Sequence, residues 1–197
     1  MFHDGNRRLQ DEFDSRRIAD RLVEKLTHFA FTDADRRLIE GTMFFFLATA
    51  DDRGRPDCSF KGGQPGFVRV VGESELVFPD YDGNGMFKSL GNIMVNPEVG
   101  LLFIDMGERP RRLRVNGAAK VSRDDPLMQR FAGAQLLVRV KAHAIFPNCP
   151  RYIAQPGSGD PSKYAPRPDY APPEPAWKNF DDFRDYIHPR QETPNGE

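Results

Sequence analysis

Cysteine is scarce in this chain: 197 residues hold two, Cys58 and Cys149, too few for a disulfide framework. Tryptophan is scarcer, with Trp177 alone. The four histidines, His3, His28, His143 and His188, are scattered and lack ligand spacing, so no metal site is expected. Neither charge is in excess, since 28 Lys and Arg meet 29 Asp and Glu. A general nucleic-acid binder would be clearly basic, and an anionic membrane surface would ask for the same. No apolar run approaches the roughly 20 residues that span a bilayer. The N-terminus, MFHDGNRRLQDEF, carries charge where a signal peptide needs an apolar stretch. There is no Cys-x-x-Cys, P-loop, nucleophile elbow or dinucleotide fingerprint. The expectation left standing is a cytoplasmic protein whose partners include neither nucleic acid nor membrane.

What is present falls into three zones. Residues 1–42 are charged and helical in pattern, and Phe13, Ile18, Leu22, Val23, Leu26 and Phe29 recur at helical spacing. A short second helix is expected from Thr32, with Asp35 three residues on. This arm either reaches a second subunit or packs on its own domain. Residues 43–150 hold β-branched and aromatic runs separated by Gly, Pro and Asp. Strands are expected at 43–50, 55–61, 67–71, 75–79, 99–105, 113–121 and 136–146. Helical pieces fit Met86–Val95 and Asp124–Phe131 between them, with Pro97 stopping the first. Six or seven mostly sequential strands with flanking helices make a mainly β protein, a six-stranded antiparallel barrel. Residues 151–197 form a proline-rich extension; the segment from 147 onward holds 11 of the 17 prolines. Such a composition packs no core of its own. Yet it carries Tyr152, Tyr164, Tyr170, Trp177 and Phe180. It is either a free linker or an extended segment lying on the barrel or on a partner subunit, and on the barrel it would wall a pocket.

Two stretches can carry chemistry. In FPDYDGNGMFKSLGNIMVNP, residues 78–97, a strand end runs through a Gly/Asn/Asp loop into a helix with Lys88, Ser89 and Asn92. Free N–H groups at a helix start, with a lysine in the first turn, make an anion site of phosphate size. The other reading is an ordinary loop-to-helix turn with a solvated lysine. Ser59 and Lys61 end one expected strand, and Arg109, Arg111, Arg112 and Arg114 precede or enter another. Arg112 and Arg114 share a face because side chains alternate along a strand. These cations suit a bound anion, or guard a solvated edge against aggregation. Cys149 has no readable histidine partner and reads as a structural thiol.

FFFLATADDRGRPDCSFKGG (44–63), FPDYDGNGMFKSLGNIMVNPEVGLLF (78–103) and RLRVNG (112–117), in this order and spacing, resemble the pyridoxamine 5′-phosphate oxidase-like, FMN-binding split-barrel family. The resemblance covers about residues 41–150. It implies a six-stranded split barrel, a homodimer, and FMN at the subunit interface. It further implies that Lys61 lies against the flavin and that Phe78 and Pro79 form the strand end facing the ring. Lys88 and Ser89 match the basic pair that holds the phosphate, with only Lys88 keeping its charge. Arg112 matches a polar side chain reaching the flavin from the other subunit, and Arg114 is the next inward candidate. Asn84 and Asn92 are added from their loop and helix positions.

The resemblance implies an oxidoreductase acting on a small molecule, with a nicotinamide electron donor. The alternative is a flavin- or heme-binding protein without turnover. The C-terminus departs from the vitamin B6 oxidases, where His188 and Arg190 are a faint echo of the arginine and histidine that grip substrate phosphate. Were FMN bound, the redox chemistry would be the cofactor's, and Lys61 and Arg112 would tune it electrostatically. No side chain stands out in the sequence as acid or base.

Overall fold

The computed structural model describes residues 1–107, 110–153, 163, 165, 170 and 172–187. Arg109, Tyr164, His188 and Arg190 lie outside the described residues. The chain forms two compact units, Met1–Thr27 with Ser162–Glu197, and His28–Pro161.

In the first unit the expected amphipathic helix is α2 (Arg16–Leu26), shorter than its apolar stripe and preceded by a separate helix, α1 (Asp4–Glu12). The break is Asp14, held at φ 44. Aspartate tolerates this left-handed conformation better than most residues, and periodicity does not register a one-residue kink. Phe13 and Phe29, at the two ends of the expected stripe, fall outside the helices and are exposed. Arg7 bridges to Asp20 at 2.8 Å, tying α1 to α2. Arg21 and Lys25 on α2 both reach the Asp182 carboxylate, at 3.3 and 2.9 Å. Trp177 sits edge-on to Phe183, with ring centroids 5.8 Å apart.

The second unit carries the site. Helix α3 (Asp33–Gly41) starts where the sequence indicates: Thr32 caps it, and the Asp35 carboxylate in turn accepts the Thr32 N–H. Seven strands follow, β1 (Phe44–Ala50), β2 (Pro56–Gly62), β3 (Arg69–Val70), β4 (Glu75–Tyr81), β5 (Glu98–Asp105), β6 (Arg111–Ser122) and β7 (Ala134–Asn148). Every pairing is antiparallel, in the order β2-β1-β5-β6-β7-β4-β3. Six strands are substantial, and β3 is a two-residue addition. Among the described residues β2 and β3, at the two ends of this order, share no ladder, so the sheet curls without closing.

The β1–β2 hairpin turns at Asp51–Gly54. The Asp51 carboxylate accepts the N–H groups of Arg53 and Arg55, and Gly54 takes φ 75. Phe45, Phe78 and Phe103 are fully buried in the middle of the core, with the Phe45 ring 5.0 Å from Phe78 and 5.2 Å from Phe103. The β6–β7 ladder slips between Asn116 and Gly117. There the Lys141 carbonyl oxygen would lie 2.4 Å from any Cβ at position 117, so the close approach requires glycine.

Helix α4 (Lys88–Val95) connects β4 to β5 and begins two residues later than the sequence suggests, because Phe87 takes a left-handed φ of 48. The helix expected at Asp124–Phe131 contracts to a single 3-10 turn, Met128–Arg130. The physical reason is Asp125, whose carboxylate accepts the Leu127 N–H and two guanidinium N–H groups of Arg139, favouring a turn over a continued helix. No helix among the described residues is long and apolar enough to cross a membrane.

Candidate functional site

The opening in the sheet is a cleft of about 530 Å³. Its walls are β2, the C-terminal end of β4, the loop 82–87 and the first turn of α4. Register explains why β2 supplies polar groups here. Asp57, Ser59 and Lys61 oppose Thr49, Leu47 and Phe45, all buried, and so stand on the core side of the sheet. Where the barrel does not close, those core-side positions meet the cleft instead of another strand.

Six of the ten candidate residues line this cleft: Ser59, Lys61, Pro79, Asn84, Lys88 and Ser89. Lys88 is exposed and Ser89 is buried at the start of α4. The first-turn N–H groups of α4 have no intrahelical acceptor, which leaves them for an anion. Asn84 uses its side-chain carbonyl within the loop, accepting the Met86 N–H at 3.0 Å.

The other four are placed differently. Phe78 is buried in the core against Phe45, one residue short of the cleft. Asn92 is buried on α4 and donates to the Thr49 hydroxyl at 3.0 Å, fastening the helix to β1. Arg112 and Arg114 stand on the face of β6 opposite the buried Leu113 and Val115. Arg112 donates to the Cys149 carbonyl, while its buried Nε has no partner among the described residues. Arg114 is exposed.

The structure adds a residue that the sequence reading passes over. Asp80, directly after Pro79, points its carboxylate at Lys61 across the cleft, with 3.8 Å between Oδ1 and Nζ. Both side chains are largely covered, at 13 and 20% exposure. Burial pushes the Asp80 carboxyl above the ordinary aspartate value, against the smaller opposing pull of Lys61. The β4–β7 register slips between Asp80 and Tyr81, and such an irregularity commonly re-aims a side chain. The signal lay in the motif PDYD, but only the curl of the sheet brings β4 opposite β2. Cys58 and Gln135 also line the cleft. Among the described residues no group of His, Cys, Asp and Glu could hold a metal ion.

An open antiparallel sheet with a polar cleft at its seam and a helix start aimed at that cleft defines a split-barrel protein. The family model described as pyridoxamine 5′-phosphate oxidase matches residues 31–161, and the chain belongs to that family. No curated protein matches it. Among solved structures it is similar to HupZ of Group A Streptococcus, with 19% identity, 59% of this chain and 93% of that chain covered, and a TM-score of 0.47. It is similar also to an FMN-binding protein of Syntrophomonas wolfei (12% identity, 74% of this chain and 96% of that chain, TM-score 0.48). A third is HutZ, the heme storage protein of Vibrio cholerae (22% identity, 53% of this chain and 84% of that chain, TM-score 0.40).

Proposed function

We propose that the chain is an FMN-binding flavoprotein that works as a homodimer and as an oxidoreductase on a small molecule, with a nicotinamide electron donor. The observation that carries this reading is one cleft with a lysine at each part of it: Lys61 on β2 and Lys88 on the first turn of α4. Its volume of about 530 Å³ is within the usual range for a cofactor site. The phosphate would sit on the α4 N-terminus and Lys88. The ring would lie toward Lys61, against the apolar surfaces of Pro79 and Phe87. Arg112, with an unmatched buried Nε, suits a further acceptor brought by a partner subunit. FMN, when bound, would supply hydride transfer, and the chain would supply position, charge and exclusion of water.

The outer face of β1 and β2 supports the homodimer. Phe60 stacks on Phe44 at 5.3 Å and meets Phe46 edge-on at 6.0 Å, and Phe60 remains 62% exposed. Met43, Met94 and Val95 are exposed as well. Exposed apolar surface of this kind marks an interaction face.

Replacement of the phosphate-binding lysine, Lys88→Ala, is expected to weaken FMN binding by about 1.5–3 kcal/mol, the worth of a hydrogen bond to a charged group. A fluorescence titration measures it. An unchanged dissociation constant would make Lys88 an ordinary solvated lysine.

A further inference from the structure

The Lys61–Asp80 pair suggests how ligand binding is controlled, an inference that rests on the FMN reading of this cleft. Lys61 is the cation on the β2 wall, and among the described residues the carboxylate it pairs with is on the opposite wall. At 3.8 Å the two groups are ion-paired without a close hydrogen bond, and the Asp80 carboxylate has no hydrogen-bond donor among the described residues. An electron-rich oxygen of a ligand that approaches Lys61 therefore meets the Asp80 carboxylate as a competitor.

We propose that Asp80 is a proton-linked positioning residue, which takes up one proton from solvent when an electron-rich ligand group engages Lys61. The balance is simple: one proton joins a carboxylate oxygen of Asp80, no electron moves, and the Lys61 ammonium exchanges one partner for another. The other groups around the cleft do not replace Asp80 in this role. From β2 come Asp57 and Cys58, from the loop after β4 come Tyr81 and Asp82, and from the start of α4 comes Lys88. β7 contributes the neutral Gln135, which donates to Asp82 at 3.2 Å. Among the described residues only Asp80 is ion-paired with Lys61. Burial raises the proton affinity of Asp80, against the smaller opposing pull of Lys61. Linkage fixes the sign. A ligand that raises proton affinity at Asp80 must bind better where protons are abundant, so affinity falls as pH rises through the Asp80 titration.

The experiment is an FMN titration of the wild-type chain and of Asp80→Asn between about pH 5 and 8. The FMN phosphate titrates near pH 6 in both, so the difference between the proteins isolates Asp80. The wild-type dissociation constant is expected to rise with pH at least about fivefold more than that of Asp80→Asn, since each unit of pKa displacement is worth tenfold. Calorimetry of both proteins in buffers of different ionisation enthalpy gives a second readout, and the wild type is expected to take up more protons on binding than Asp80→Asn. Parallel pH profiles, or equal proton uptake by the two proteins, would overturn the role of Asp80 while leaving FMN binding intact. Absence of FMN binding by both proteins at every pH would overturn the FMN reading itself, and this inference with it.

Discussion

At the scale of single residues, Arg139 on β7 shows how charge and fold are coupled away from the cleft. Its guanidinium donates to both oxygens of Asp125, a buried carboxylate, and to Glu75 at 2.9 Å. The hydrogen bonds from Arg139 hold the Asp125 carboxyl below the ordinary value of 3.8, with the backbone N–H of Leu127 assisting. A depressed carboxyl stabilises the fold above the unfolded-state value and loses that contribution as pH falls through the folded-state one. Asp125→Asn is therefore expected to lower stability by about 1–3 kcal/mol at neutral pH, the cost of breaking hydrogen bonds to a charged, covered partner. The gap between the two proteins should narrow as the pH drops below 3.8. Urea melts at neutral and acid pH measure both, and a gap that is independent of pH would remove the electrostatic account. The sequence shows Asp125 and Arg139 but not their meeting, because the contact depends on the chain folding back across the sheet.

At the scale of elements, most strands and helices are legible, and the misreadings have physical causes. Strong alternation and unbroken apolar runs mark β1, β5, β6 and β7 in the sequence, and the residues of the Asp51–Gly54 turn mark the hairpin. The expected N-terminal helix begins only at Arg16, because Asp14 separates it from α1 by backbone conformation and not by polarity. Asp124–Phe131 is misread as helix because the pull of Arg139 on Asp125 comes from 14 residues away. The β6–β7 bulge is invisible to periodicity, since only the facing Lys141 carbonyl makes Gly117 necessary. Gly117→Ala is accordingly expected to cost about 1–3 kcal/mol, the usual penalty for forcing extra volume into a packed site. Thermal or urea unfolding checks it, and a neutral substitution would show that the bulge has room to relax. Part of the site was legible too. Lys61, Pro79, Lys88 and Ser89 are identified from motif order and do line the cleft. Asn92 is polar and at helical spacing from Lys88, yet it turns to Thr49, a choice that helix periodicity alone does not reveal.

At the scale of the whole molecule, the open sheet is the feature that makes a site. A closed barrel would bury the core side of β2, whereas the seam exposes Ser59 and Lys61 to the cleft beside β4 and α4. The proposed homodimer follows from the exposed aromatic face of β1 and β2. Sedimentation at micromolar concentration should show a species of twice the 22.4 kDa chain mass, and a monomer alone would remove the dimer from the account. FMN in the cleft would show at once in the absorbance spectrum of the purified protein. The two-banded spectrum of oxidised flavin is expected, with FMN released on denaturation. A heme spectrum, or a protein that shows neither chromophore and binds no added FMN, would contradict the FMN reading.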